Sequence, residues 1–336
     1  MASPAPKDDI CVAIAGEALI DLIARPDGTY LPCMGGAPYN LARALARQRV
    51  GTLYLNPLSA DRFGRALAHQ LQHDGVHVAQ DEPVAQTTSI AVVGLDDSGH
   101  PDYAFYREGV ADRQVTADGL NQACDLNRGL QIVCTGALAL DPRDAVVYSP
   151  WLRVQRARGR CVVVDANLRP SVMRDLTAYR SHVLATLAQA DLIKVSDEDL
   201  EHLGWSGVDA MQAARDLLIR ANASLLALTM GAAGAWLLTP DDQWYAREMD
   251  KLSIVDTVGA GDSFLAGLLA ALLKFRTQRA SPQGLLAGLN ASNFRSLLRH
   301  ALASASLCVQ RQGCVPPNWE ETVEWSRKHS TFTDVP

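Results

Sequence analysis

Asp256-Thr257-Val258-Gly259-Ala260-Gly261-Asp262-Ser263-Phe264 leads directly into an apolar helical run, LAGLLAALLK. Small residues at 259, 260 and 261 let the backbone turn tightly and aim consecutive N–H groups into one concavity, at the positive end of the following helix. Such a concavity binds anions. Fixed donors of this kind stabilise the charge that spreads over the equatorial oxygens of a phosphoryl group in transfer. Asp262 lies at its mouth, where a carboxylate can orient an attacking hydroxyl and take its proton late, as befits a weak base. Gly259, Ala260, Gly261 and Asp262 thus form a candidate catalytic group. Residue types alone also allow a plainer account, in which Asp262 caps the helix and the glycines permit close packing.

Other segments carry residues suited to a ligand rich in hydroxyls or phosphates. Gly35 and Gly36 allow backbone to approach a ligand closely, and Asn40 offers a donor and an acceptor to hydroxyls, or else an N-cap. Asp21 is a carboxylate upstream of them, which on its own could equally be a surface group. Arg169, in Asp165-Ala166-Asn167-Leu168-Arg169-Pro170, follows a predicted strand, where α/β proteins place ligands. Its guanidinium, always charged and with five donors, suits a triphosphate, while a structural ion pair competes as an explanation. Arg107 could reach a hydroxylated substrate or pair with Glu108 or Asp112 at the surface. In Lys194-Val195-Ser196-Asp197-Glu198-Asp199 an acidic helix start and a metal-handling site are both open, and either Glu198 or Asp199 could hold a metal-bound water. The glycines of Thr229-Met230-Gly231-Ala232-Ala233-Gly234 could line a ligand or make a turn between strands.

The elements that position these residues follow an alternating pattern. Short apolar runs at 11–15, 132–135, 161–165, 192–195, 225–229 and 235–238 read as strands, with helical stretches such as 40–48 and 211–221 between them. That rhythm predicts a mostly parallel sheet covered on both faces. Two regions, about 17–34 and 88–112, break it, the second with a strand–turn–strand pattern whose turn falls at 96–99. Both are expected to leave the main sheet as a small β-layer, although edge strands of the main sheet fit nearly as well. With 48% hydrophobic and 20% charged residues the chain has the balance of a globular protein, and its 336 residues suit one domain with an accessory element. A net charge of −6 and the lack of basic runs argue against nucleic-acid or membrane partners. The longest apolar stretch, 264–273, is about half a membrane span, and the first ten residues lack the pattern of a signal peptide. Seven scattered cysteines without a CxxC pair suggest buried, reduced thiols in a cytoplasm.

DTVGAGDSF resembles the C-terminal signature of the ribokinase-like (PfkB) carbohydrate kinases, D-T-x-G-A-G-D-x-F. Gly35 to Ala42 resembles the family's GGAxxNxA segment, Gly16-Glu17 with Asp21 its GExxxD opening, and 165–169 its DxNxR segment. Thr229 to Gly234 resembles its T-x-G-x-x-G stretch, and residues 303–313 its closing helix. The similarity runs from residue 11 to 314; the departure is at Ser196 and Asp199, where the family usually has N-x-x-E.

The resemblance implies a ribokinase-like three-layer α/β/α core with a small β-sheet lid, the whole chain forming one kinase domain. It implies ATP and Mg2+ as cofactors and suggests K+. By position, Asp21, Gly35, Gly36, Asn40 and Arg107 would bind the sugar, and Arg169 would join the catalytic group. Lys194, Ser196, Thr229, Gly231, Gly234 and Gly261 would meet the nucleotide, Asp199 the Mg2+ through water, and Asp256 a monovalent cation. Homodimerisation through the lid is a further hypothesis. The stretches FYREGVAD and KVSDE are similar to those of bacterial fructokinases, which implies transfer to the C6 hydroxyl of fructose. A 2-keto-3-deoxygluconate kinase, a ribokinase or nucleoside kinase, and a non-catalytic sugar-binding regulator of the same fold remain as alternatives.

Overall fold

The structure, a computed structural model, describes residues 10–25, 27–95, 101–275, 284, 286–329 and 331–332. In chain order its strands are Val12–Ile14 (β1), Leu19–Ala24 (β2), Tyr30–Gly35 (β3), Thr52–Tyr54 (β4), His77–Val78 (β5), Ser89–Leu95 (β6) and Pro101–Tyr106 (β7), then Ile132–Gly136 (β8), Cys161–Asp165 (β9), Leu192–Ser196 (β10), Leu225–Thr229 (β11), Ala235–Leu238 (β12), Gln243–Glu248 (β13) and Thr331–Phe332 (β14).

Runs such as CVVVD in β9 are buried at every residue, which only a strand covered on both faces can be. These runs build a ten-stranded sheet of order β14-β13-β12-β11-β10-β9-β8-β1-β4-β5. Pairing is parallel from β11 through β5, and β12, β13 and β14 add antiparallel at one edge. Alternate side chains feed two cores. Val163, Leu192 and Leu225 pack on one face beneath the helices Ala37–Arg47, Ala260–Phe275 and Ala291–Cys308. Val162, Val164, Ile193 and Leu226 pack on the other face, beneath Ala145–Ala157, Leu176–Leu187 and Ala210–Ala221. The result is the expected three-layer α/β/α core.

A separate four-stranded sheet has the order β3-β2-β6-β7. Its contact with the main body includes a small apolar cluster of Leu19, Ala91 and Leu138, with Phe105, Val172 and Met173 around it. The turn expected at 96–99 lies outside the described residues, as does the N-terminal stretch 1–9.

The strands β4, β5, β13 and β14 had no counterpart in the sequence reading; three of the four are only two or three residues long. The helix expected to begin at 40 begins at Ala37, because Pro38 in its first turn starts a helix as readily as it breaks one. Among the described residues no helix is long and apolar enough to cross a membrane. The seven cysteines form no disulfide, and five of them are buried.

Candidate active site

Gly259 ends the loop before the helix Ala260–Phe275 with φ +76°, a left-handed conformation that favours glycine. A Cβ at this position would fall 2.2 Å from Cys314 Sγ, so the loop can pack here only without a side chain. Two residues on, a Cβ at Gly261 would lie 2.9 Å from Lys194 Nζ. The turn at 259–261 thus has an ammonium against its backbone. Asp262 follows in the first turn of the helix, buried, and its Oδ2 accepts a hydrogen bond from Asn40 Nδ2 at 3.0 Å. Burial pushes its pKa up to about 7, helped by the neighbouring Asp165 carboxylate and opposed by Lys194, Asn40 and Arg169. A carboxyl group in that range exchanges a proton near neutral pH, as a general base must.

Lys194 on β10 and Asp165 at the end of β9 form a buried ion pair, Nζ to Oδ1 at 3.0 Å. Burial works against the lysine's charge, but Asp165, Asp199 and Asp262 outweigh it and hold its pKa above the ordinary value. Asp165 was not singled out as a site residue from the sequence; its place at the strand end, three residues before Leu168-Arg169, was the available signal. Arg169 Nη1 donates to the carbonyls of Asn167 and Leu168. Its charge acts on Glu17, Asp21, Asp165 and Asp262, which makes it the shared cation of four carboxyl groups.

Ser196 and Asp199 form a reciprocal cap. Ser196 Oγ accepts from Asp199 N at 3.0 Å, and Asp199 Oδ2 accepts from Ser196 N at 2.8 Å. Asp199 Oδ1 accepts from Leu168 N at 2.7 Å, so the residue ties the β10 end to the Arg169 loop. Glu198 beside it is exposed.

Across from Asp262, the turn Gly35-Gly36-Ala37 closes over the start of β2. A Cβ on Gly35 would sit 2.2 Å from Asp21 Oδ2, and one on Gly36, at φ +104°, would sit 2.6 Å from the Glu17 carbonyl oxygen. Asn40 is no N-cap: Gly36 holds that position, and Asn40 lies inside the helix with its Oδ1 buried and unpaired among the described residues. Burial raises Asp21 to about 6 against the pull of Arg169. Arg107 is buried rather than on the surface, 3.9 Å from Asp112 Oδ2 and donating to Leu138 O at 3.4 Å. Of the groups predicted from the sequence, Asp262, Gly261, Asn40, Lys194 and Arg169 are brought together, and Arg107 lies beside Asp112 with its charge facing Glu17 under the 35–37 turn. A cavity of about 970 Å³ opens beyond Arg107, between β7 and the 171–178 segment, away from Asp262.

On the remaining side, Gly231 and Gly234 have positive φ around a short 3₁₀ turn between β11 and β12. A Cβ on Gly234 would fall 2.5 Å from Ala246 O, so this glycine also serves the packing of β13. Thr229 Oγ1 reaches Val195 O at 3.4 Å. Asp256 braces the loop before Gly259, accepting from Val258 N at 3.0 Å and from Gly313 N at 2.9 Å.

A buried carboxylate beside a glycine-rich turn at a helix N-terminus, with a lysine behind the turn and an arginine nearby, can deprotonate a hydroxyl and stabilise a phosphoryl group moving onto it. Known proteins place the chain accordingly. A fructokinase from Rhizobium leguminosarum bv. trifolii is 33% identical over 265 residues, covering 78% of this chain and 79% of that one. The structure of a fructokinase from Xylella fastidiosa with bound ATP superposes with a TM-score of 0.81 at 26% identity, over 95% of this chain and 98% of its own. A double mutant of the fructokinase from Vibrio cholerae O395, bound to fructose, ADP and a potassium ion, gives 0.76 at 25% identity, over 96% and 99%. The pfkB family of carbohydrate kinases matches residues 10–321, and with its ribokinase-like fold and this site the chain belongs to that family of ATP-dependent sugar kinases.

Proposed function

We propose that this chain transfers the γ-phosphoryl group of ATP to the C6 hydroxyl of fructose, giving fructose 6-phosphate. The observation that carries the reading is the contact of Asp262 with Asn40 at 3.0 Å, beside a Gly261 whose missing side chain makes room for Lys194. The fructokinases among its relatives support fructose as the acceptor.

In this mechanism Asp21, the Gly35-Gly36 backbone and Asn40 hold sugar hydroxyls, and Arg107 supports that subsite. Asp262 orients the reacting hydroxyl and accepts its proton as the new O–P bond forms and ADP leaves. The N–H groups of Gly259 and Gly261, with Lys194 and Arg169, take up the charge on the moving phosphoryl group, while that of Ala260 already donates to Thr257 O. The turn at 229–234 and Ser196 border the nucleotide. Mg2+ carried by the triphosphate would supply neutralisation of the phosphate charge. The exposed carboxylate of Glu198 suits a metal-bound water better than Asp199, both of whose oxygens already accept backbone N–H groups. K+ would lie beside Asp256, whose loop runs along residues 309–313. The small sheet serves as a lid of the single kinase domain, excluding water as a competing acceptor. A homodimer through that lid, and a place of action in the cytoplasm, complete the reading; a monomeric mass in solution scattering would remove the dimer.

A coupled ADP-release assay over a panel of acceptors tests the proposal. Fructose should turn over fastest; 2-keto-3-deoxygluconate or a nucleoside outrunning it would replace the acceptor, and no turnover with any acceptor would end the kinase reading.

A further inference from the structure

Glu17 leaves β1 in a rigid setting. Gly16 N donates to Asn56 Oδ1 at 2.8 Å, and Tyr54 donates its hydroxyl to Gly16 O at 2.7 Å. The turn at 35–38 rests directly on these two residues: a Cβ on Gly16 would fall 2.3 Å from Pro38 Cγ, and one on Gly36 2.6 Å from Glu17 O. The Glu17 side chain then reaches beneath the turn, where Oε1 accepts from Ala37 N at 3.3 Å. Three buried polar atoms beside it have no hydrogen-bond partner among the described residues: Oε2 of Glu17, Nε of Arg107 and Oδ2 of Asp112.

We propose that Glu17 is a positioning residue for the sugar, its carboxyl seating the Gly35-Gly36-Ala37 turn from a place between the Ala37 N–H and the Arg107 guanidinium, and that its ionised form tightens the sugar subsite. This rests on the kinase reading above and assigns that site a further proton-dependent group beside Asp262 and Asp21. The charged groups facing Glu17 are Arg107 and Asp112 from the segment after β7, and Arg169 from the loop after β9. Burial pushes Glu17 up to about 7 and raises Asp112 as well, with Arg107 opposing both. One guanidinium therefore faces two carboxyl groups that resist ionising together. An ionised Glu17 accepts the Ala37 N–H more strongly than a neutral carboxyl and gives Arg107 a full counter-charge. The pull is felt where sugar binds. Ala37 opens the helix that carries Asn40, and Gly35 abuts Asp21.

The test measures sugar KM, ATP KM and kcat for the wild type and Glu17→Gln between pH 5.5 and 8.5. The wild-type sugar KM should fall about tenfold as pH rises through 7, the scale of a charge-assisted over a neutral hydrogen bond. Glu17→Gln should stay at the low-pH value across that step, while its kcat keeps the acid limb set by Asp262 and its ATP KM stays within about twofold of wild type. Asp21, titrating near 6, adds a lower step common to both proteins. A wild-type step near 7 that persists in Glu17→Gln would overturn the proposal, as would a variant that loses kcat and ATP affinity in parallel with sugar affinity. Glu17→Asp, which keeps the charge but withdraws it by one methylene, should raise sugar KM at pH 8 at near-constant kcat; an unchanged KM would also overturn it. Wild-type turnover with fructose is the control, since its failure would sink the kinase reading itself.

Discussion

Asp262→Asn keeps the length of the side chain and an oxygen for Asn40 Nδ2 to meet, and removes the ability to take a proton. With the carboxyl group pushed up to about 7, roughly one tenth of the wild-type enzyme holds it ionised at pH 6 and about nine tenths at pH 8. Turnover at saturating sugar and ATP should therefore fall about tenfold per pH unit below 7 and level off above it. The variant should lose two to four decades of kcat at pH 8, or ~3–5 kcal/mol of transition-state stabilisation, and what remains should be flat in pH. ADP release gives kcat, and calorimetric titration shows whether sugar binding survives. If the variant turns over within threefold of wild type at pH 8, or keeps an acid limb with the same midpoint, Asp262 is not the base.

The same substitution should strengthen the fold at high pH. A carboxyl group raised from 3.8 to about 7 adds most to stability below pH 4, and this contribution is lost as pH climbs toward 7. Asp262→Asn should thus be more stable than wild type at pH 8 by up to about 4 kcal/mol, with the gap closing toward pH 4, as read from denaturant midpoints. Gly261→Ala puts a methyl group 2.9 Å from Lys194 Nζ, at the flexible end of that side chain. Its melting temperature should hardly change while kcat falls by about one to two decades, and an unaffected kcat would separate Lys194 from catalysis. Gly259→Ala carries both a φ of +76° and a 2.2 Å clash with Cys314 Sγ. It should lose more than the ~1–2 kcal/mol of the backbone strain alone. Adding Cys314→Ala should restore the part due to the clash, and strictly additive unfolding free energies in the double-mutant cycle would refute that contact.

The glycine-rich loop and the helix after it were legible because their signal is local: small residues, a carboxylate and an apolar run stand together in the sequence. The buried strands β8 to β12 were legible for a similar reason, since a strand covered on both faces must be apolar throughout. The short edge strands β4 and β5 have too few residues to show a period, and β13 was hidden by the charged residues at its exposed end. The reciprocal cap of Ser196 and Asp199 was present in the sequence as Ser-x-x-Asp, but the same residues also suited a metal site. Glu17 and Asp165 stand in recognisable segments, but nothing local marks either as buried; that depends on strands and loops distant in the chain.

The partners in the Asn40–Asp262 hydrogen bond stand 222 positions apart. During synthesis the Asn40 side of the pocket leaves the ribosome long before the Asp262 carboxylate, so a partly made chain lacks the phosphoryl-transfer centre proposed above. In refolding, the return of turnover should coincide with the slowest step that joins the two ends of the sequence, after the helices have already formed. Enzyme activity is then a direct clock for completion of this fold.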